Sequence, residues 1–371
     1  MRTIFTQKTA VSSVFILFSF LLPVKATAAS YSQIYVFSDS ISDTGNVFNV
    51  TTTANRFAPT VTIDPPSPPY FNGRYSNGPA WVEYLADDLG LTLTPSTQLA
   101  VGSPITITAN GELGVNFFFN GATTTRNVNF AFGGAGSGLS NASDPRLPGI
   151  LREVQAFTDD LTLANKSADP NALYIVWAAG SNDYSSGNFT EPTVPIQNIS
   201  QGVISLFEVG ARNILVPNIP DLGNVPRNLS LGPDISTALT QLSQAHNLSL
   251  ATTLNNLSQT YEGINLIPLA ADSLFRAAIT NPAEFGLTNV TEPCLDPVSN
   301  IACANPDEYL FWDSIHPTAI AHARLGEFAS STLKAEPVPE PSSELGVLAV
   351  GVMGIVSLLK RKWRKELETW Q

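Results

Sequence analysis

Cysteine, histidine and basic side chains are all scarce in this chain. Two cysteines in 371 residues cannot frame a disulfide scaffold or a cysteine-rich metal site. Three histidines, His246, His316 and His322, make a histidine-built metal cluster equally unexpected. Lysine and arginine number 19 against 31 acidic residues, a formal net charge of −12. Such a surface repels phosphate, so nucleic acid is not an expected partner. Charged residues make up only 13% of the chain and hydrophobic ones 43%. That balance excludes a mostly disordered protein and supplies core for one large domain or two medium ones. Internal repeats and long charge runs are absent as well.

The two ends differ in composition from the middle. Arg2 and Lys8 precede an apolar run from Ala10 to Val24, and Ala26-Thr27-Ala28 offers small residues for cleavage. This pattern predicts a secretory signal peptide over residues 1–28, the alternative being an uncleaved anchor. At the other end, Val338-Pro339-Glu340-Pro341-Ser342 is a polar, proline-rich break. An apolar run from Leu345 to Leu359 follows, closed by Lys360, Arg361, Lys362, Arg364 and Lys365. At ~1.5 Å per residue this run falls short of a ~30 Å bilayer core, so a short transmembrane helix is expected, with its basic end cytoplasmic. The tail resembles the PEP-CTERM sorting signal of exported bacterial proteins. That resemblance implies an exosortase-type processing enzyme as partner, a transient membrane association, and a mature protein at the cell surface or outside the cell. A plain C-terminal anchor is the alternative. The expected division is therefore 1–28, 29–336 and 337–371. Residues 30–339 carry 11 basic and 27 acidic side chains, a net charge of −16, which disfavours anionic substrates. Cys294 and Cys303 lie close in sequence and could pair after export.

Between the ends, short apolar runs alternate with longer amphipathic stretches. Strands are predicted at Ile34 to Phe37, Ala172 to Ala178, Asn213 to Val216 and Ile264 to Leu269. Helices are predicted at Pro79 to Leu89, Ile150 to Leu163, Ile196 to Val209, Ile235 to Gln259 and Thr318 to Leu333. Asn110-Gly111 and Asn120-Gly121 are hairpin signals within a β-rich insertion from Ile105 to Phe132. The alternation points to an α/β fold with a central parallel sheet covered on both faces. In such sheets the chemistry sits on loops past the carboxyl ends of the strands.

Four loops carry the candidate groups. Ser38-Asp39-Ser40-Ile41-Ser42-Asp43-Thr44-Gly45-Asn46 places a serine directly after the first strand. Gly133-Gly134 opens a glycine-rich loop whose backbone can approach a ligand, without the spacing of a dinucleotide fingerprint. Gly180-Ser181-Asn182-Asp183 offers an asparagine amide as an oxyanion donor. Asp313-Ser314-Ile315-His316-Pro317 sets a carboxylate three residues from an imidazole. Each is an ordinary turn or cap when taken alone.

Together and in this order, the four blocks resemble the GDSL, or SGNH, hydrolases. The stretch Phe71-Asn72-Gly73-Arg74-Tyr75-Ser76-Asn77-Gly78-Pro79, followed by Trp81, is also similar to a segment of that family. The resemblance covers about residues 31–333. It implies a three-layer α/β/α, flavodoxin-like fold and an esterase or lipase that uses no metal or organic cofactor. It makes Ser40 the nucleophile, His316 the general base and Asp313 its orienting carboxylate. The Ser40 N–H, the Gly134 N–H and the Asn182 side chain would form the oxyanion hole, with Gly133 the alternative to Gly134. The expected substrate is an ester of a lipid or an acylated glycan. An acyltransferase would use the same acyl-enzyme, and a catalytically weak surface or matrix binding protein is the rival of a different class. Ser38 stands where the family usually has glycine and Ile41 where it has leucine. If position 38 needs φ > 0, serine there costs on the order of 1 kcal/mol.

Of the other candidates, His246 and His322 read as structural, and Asp39 and Asp43 as turn carboxylates rather than calcium ligands. Asp183 reads as a loop-shaping carboxylate. The insertion around residues 50–130 is expected to shape the substrate pocket.

Overall fold

Five short runs of alternating buried side chains lie parallel at the centre of the molecule, with a short edge strand beside them. The computed structural model describes residues 30–335 apart from 108–112, 186, 188 and 189. The predicted signal peptide, the turn at Asn110-Gly111 and the tail with its apolar run at Leu345 to Leu359 lie outside these residues. Among the described residues no helix is long and apolar enough to cross a membrane.

The strands are β1 (Ile34–Ser38), β2 (Thr94–Pro95), β3 (Ile105–Ile107), β4 (Leu113–Val115), β5 (Val128–Asn129), β6 (Leu173–Trp177), β7 (Asn213–Pro217), β8 (Asn265–Leu269), β9 (Asn289–Pro293) and β10 (Tyr309–Phe311). The helices are α1 (Asn46–Phe57), α2 (Trp81–Asp88), α3 (Ile150–Leu163), α4 (Thr193–Glu208), α5 (Pro226–Leu229), α6 (Pro233–Thr260), α7 (Ala271–Thr280) and α8 (Ala319–Ala335). The central sheet runs β2-β5-β1-β6-β7-β8, and every pairing in it is parallel.

Side chains of a strand alternate between faces, and both faces here are apolar. Tyr35, Phe37, Tyr174, Val176, Ile214 and Val216 pack against Val154 and Phe157 of α3, Val203 of α4 and Leu250 and Leu254 of α6. Ile34, Val36, Ile175, Trp177, Leu215 and Ile267 point the other way, against Trp81 and Leu85 of α2 and Leu325 and Ala329 of α8. The result is a three-layer α/β/α fold. The chain leaves β1 toward β2 and β5 on one side and reaches β6, β7 and β8 on the other. The carboxyl end of β1 is thus the switch point where α/β sheets bind ligands.

Two expectations are corrected. Asn120 and Gly121 both have positive φ, of 53° and 82°, but they lead into a single 3₁₀ turn, Ala122–Thr125, and not a hairpin. The chain then joins the main sheet as β5. The insertion does hold one antiparallel pair, β3 with β4. Ser38 is also free of the anticipated strain. It is the last residue of β1 and has no positive φ, so its Cβ costs nothing there. Its hydroxyl accepts from Ser42 Oγ at 2.9 Å, and Ser42 Oγ accepts from the Trp81 indole at 3.0 Å.

Candidate active site

Ser40 begins the turn that follows β1. That turn closes by backbone bonds from Ser42 and Asp43 to the Asp39 carbonyl, at 3.0 and 3.1 Å. Ser40 Oγ lies 2.8 Å from His316 Nε2. His316 Nδ1 lies 2.7 Å from Asp313 Oδ2. A carboxylate at Nδ1 holds the proton on that nitrogen and leaves the Nε2 lone pair facing the Ser40 hydroxyl. The three residues lie 276 positions apart at the extremes, so the fold, not local sequence, brings them together.

The Asp313 carboxylate is fully engaged. Oδ1 accepts the Ile315 and His316 N–H groups, both at 2.8 Å. Oδ2 accepts the His316 ring N–H and, at 2.7 Å, the Tyr70 hydroxyl. Burial raises the Asp313 pKa, but the His316 charge and these bonds outweigh it and hold the group below its ordinary value. Burial likewise lowers His316, yet Asp313, with Asp39 and Asp64 behind it, carries it above its ordinary value.

Buried carboxylates stitch the strand-end loops together. Asp43 accepts the N–H groups of Gly45, Asn46, Val47 and Gly133, at 2.7, 2.6, 3.2 and 2.9 Å. Asp39 accepts from Ile41 and, across the sheet, from Ala179 at 3.1 Å. Burial lifts both Asp39 and Asp43 to about 6. Glu153 of α3 accepts the N–H of Ser38 at 2.9 Å and of Phe132 at 3.0 Å, and burial pushes it well above the carboxylate range. Asp183 accepts the Ser137 N–H and hydroxyl, as a loop-shaping carboxylate does. Every oxygen of Asp39 and Asp43 thus has a backbone partner, as in turns.

The two glycines differ in what their N–H groups meet. That of Gly133 is committed to Asp43, whereas those of Gly134 and Ser40 have no acceptor among the described residues. Gly134 has φ +80°, and a Cβ there would meet Asn141 Oδ1 and Ser143 Oγ at 2.5 Å. A Cβ on Gly133 would meet the Tyr75 ring at 2.4 Å or less. That ring stands 5.1 Å from the His316 ring, and its hydroxyl donates to Asp64 at 2.6 Å. Asn182 follows Gly180, at φ +89°, and its side-chain amide donates to the carbonyl of Ala135, the residue after Gly134.

The other two histidines do not reach this site. His322 Nδ1 accepts the Trp81 N–H at 3.1 Å, at the start of α2. His246 Nδ1 pairs with the Tyr184 hydroxyl at 2.7 Å. Cys294 and Cys303 are joined as a disulfide, beside Trp312. Among the described residues no group of three or more His, Cys, Asp or Glu is arranged to hold a metal.

A cavity opens directly on Ser40 and His316. It runs between α7, α8 and the end of β10, lined by Trp177, Leu274, Phe275, Leu310, Phe311 and Ile320 among others. Among the described residues, none of 50–130 lines it. The expectation that this insertion shapes the pocket is therefore corrected. The insertion instead backs the His–Asp pair, through Tyr70 and Tyr75.

The GDSL-like lipase/acylhydrolase family matches residues 34–329. The chain belongs to that family. The PEP-CTERM protein-sorting motif matches residues 337–362. Esterase EstA of Pseudomonas aeruginosa is 28% identical over 367 residues, 94% of this chain but 53% of the relative. The chain thus spans about half the length of EstA. A GDSL esterase/lipase of Arabidopsis thaliana is 27% identical over 322 residues, covering 77% of this chain and 78% of that one. The phosphatidylcholine-sterol acyltransferase of Aeromonas hydrophila is 25% identical over 356 residues, covering 83% and 91%. The four motif loops described above lie within the matched residues, and Tyr70 and Glu153 are the site neighbours that the motifs alone do not mark.

Proposed function

We propose that this protein hydrolyses carboxylic esters through an acyl-serine intermediate. The observation that carries this reading is the unbroken chain of short hydrogen bonds from Ser40 through His316 to Asp313, opening on an apolar cavity. Ser40 Oγ attacks the ester carbonyl carbon as its proton passes to His316 Nε2. The carbonyl oxygen takes up the negative charge and receives the N–H groups of Ser40 and Gly134 and the Asn182 amide. The bond to the alkoxy oxygen then breaks as His316 returns the proton to the leaving alcohol. Water, deprotonated by His316, releases the acid and restores Ser40. Asp313 holds the imidazole in the productive tautomer and stabilises its protonated form.

Gly134 is the oxyanion donor in this reading, and Gly133 is not, because Asp43 already takes the Gly133 N–H. The rival reading of a weakly catalytic binding protein drew only on strain at Ser38, and Ser38 is unstrained. An alcohol in place of water would turn the same intermediate to acyl transfer, the activity in the name of the Aeromonas relative. The sorting motif supports export, removal of the tail by an exosortase-type enzyme, and a mature esterase at or beyond the cell surface. The deciding experiment is hydrolysis of p-nitrophenyl esters by the purified full chain and by Ser40→Ala. Turnover that depends on Ser40 is expected, and equal turnover in the variant would overturn the mechanism.

A further inference from the structure

Helix α6 buries an apolar stripe of Leu239, Leu250, Leu254 and Leu257, and into that stripe it sets two polar side chains, Ser243 and His246. With Asn247 they are spaced three and four residues apart, on one face of the helix. The loop after β7 accounts for two of the three. Ser243 Oγ accepts the Leu222 N–H at 3.1 Å, and the Asn247 side chain pairs with both the N–H and the carbonyl of Ile219, at 3.0 and 2.9 Å. His246 is different. It is fully buried, and among the described residues its Nε2 has no hydrogen-bond partner. Burial holds its pKa down at about 4, so the ring stays neutral at any pH at which His316 can act as a base. Burying an imidazole with one nitrogen unpaired costs stability that a leucine at the same place would not. Its other nitrogen does have a partner. Nδ1 lies 2.7 Å from the Tyr184 hydroxyl, and the Tyr184 ring stands edge-on to the imidazole, with centroids 5.6 Å apart.

Tyr184 follows Asn182 by two residues in the turn Ser181–Ser185. The Gly180 carbonyl accepts the N–H groups of Asp183 and Tyr184, at 3.2 and 2.8 Å. The Asp183 carboxylate accepts the Ser137 N–H at 3.1 Å and the Ser137 hydroxyl at 3.2 Å. These bonds tie the turn to the end of β6 and to the glycine-rich loop, and the Tyr184–His246 bond ties it to α6. Asn182 lies between the anchors at Gly180 and Tyr184. Resting on the esterase reading above, we propose that His246 is a positioning residue: through Tyr184 it fixes the turn that aims the Asn182 amide at the carbonyl oxygen of the ester. An oxyanion donor acts only from a fixed place, and a displacement of about 1 Å can cost up to ~10²-fold in rate.

The test is steady-state hydrolysis of p-nitrophenyl acetate by the full-length protein. Tyr184→Phe keeps the ring and removes one oxygen. It should lower kcat by about threefold to tenfold and leave KM within about twofold. His246→Leu should do the same, and the double variant no more than either. In an Asn182→Ala background Tyr184→Phe should change kcat by less than about twofold, because the group it positions is gone. A merely structural role would cost the same in both backgrounds. An equal loss in both, no loss in either, or a loss confined to KM would overturn the proposal. A second measurement needs no turnover. The side-chain amide signal of Asn182 in a ¹⁵N NMR spectrum, assigned by its disappearance in Asn182→Ala, should shift or broaden in Tyr184→Phe. A wild-type protein that hydrolyses no ester would overturn the esterase reading alone, since the amide signal still reports on the turn. An unmoved amide signal would overturn the role given to His246, whatever the turnover.

Discussion

Tyr70 donates its hydroxyl hydrogen to Asp313 Oδ2 at 2.7 Å, the same oxygen that holds His316. The bond joins two segments 243 residues apart in the chain. It adds a second donor to that oxygen, so the orientation of the Asp313 carboxylate does not rest on His316 alone. Tyr70→Phe keeps the ring contact with Trp312 and removes only this bond. A hydrogen bond to a charged group contributes about 1.5–3 kcal/mol, so kcat should fall by about tenfold to a hundredfold. A change confined to KM would instead place Tyr70 in substrate binding.

The His316 pKa gives a pH prediction. In the proposed mechanism His316 is the general base and acts as neutral imidazole, and Asp313, Asp39 and Asp64 hold it above its ordinary value of 6.5. Activity should therefore rise with pH along an acidic limb whose midpoint lies above 6.5. Asp313→Asn removes the main charge that raises the group, so the limb should move to lower pH. Its plateau should fall by about 10⁴-fold, as in other triads that lose the orienting carboxylate. Profiles of kcat/KM against pH for the two proteins test both statements.

In the proposed mechanism Asn182 and Gly134 donate to the oxyanion, and such donors act chiefly on the transition state. Asn182→Ala should lower kcat by ~10²–10³-fold with little change in KM. Gly134→Ala should be at least as damaging, because alanine at φ +80° would drive its Cβ into Asn141 and Ser143 and turn the N–H away. Steady-state kinetics would refute the assignment if Asn182→Ala raised KM alone.

Much of this was legible in the sequence because strongly periodic segments declare themselves. Helix α3 runs from Ile150 to Leu163, the span its apolar spacing predicts, and β6 and β7 sit within one or two residues of theirs. Helix α1 was not legible. Thr51-Thr52-Thr53 and two valines read against a helix, and the helix forms because Asp43 accepts the N–H groups of Asn46 and Val47 at its start. Ser40, Asp313 and His316 stood out in motifs that occur in order, whereas their supports did not. Tyr70 lies in a proline-rich stretch that carries no periodic signal. The cavity was misplaced because its wall is assembled from α7, α8 and β10, segments that meet only in three dimensions.

The tail gives a prediction about maturation. The sorting motif covers residues 337–362, and a fifteen-residue run, apolar but for Ser357, makes a poor permanent anchor but an adequate transient one. Protein isolated from its native host should end near residues 339–342, as read by intact-mass analysis. A mature chain still ending at Gln371 would rule out processing.

Glu153 links the end of β1 to the segment after β5, and its removal should be felt in stability before chemistry. It is fully buried and touches no reacting group. Its two oxygens accept the N–H groups of Ser38 and Phe132, and the Phe132 N–H also reaches the Ser38 carbonyl at 3.3 Å. A buried donor left without a partner costs roughly 1–3 kcal/mol, so Glu153→Ala, which takes the carboxyl acceptor from the Ser38 N–H and leaves Phe132 only its longer bond, should destabilise the fold by about 1–3 kcal/mol. The pH dependence follows from the raised pKa. The folded protein holds the Glu153 proton more tightly than the unfolded chain does, so its contribution is largest at acid pH. It declines as pH rises above the ordinary carboxylate value of 4.5. The loss of stability in Glu153→Ala should accordingly be greater near pH 5 than near pH 8 in paired denaturant melts. An equal loss at both pH values would mean that Glu153 is ionised in the folded protein and holds the two loops as a carboxylate.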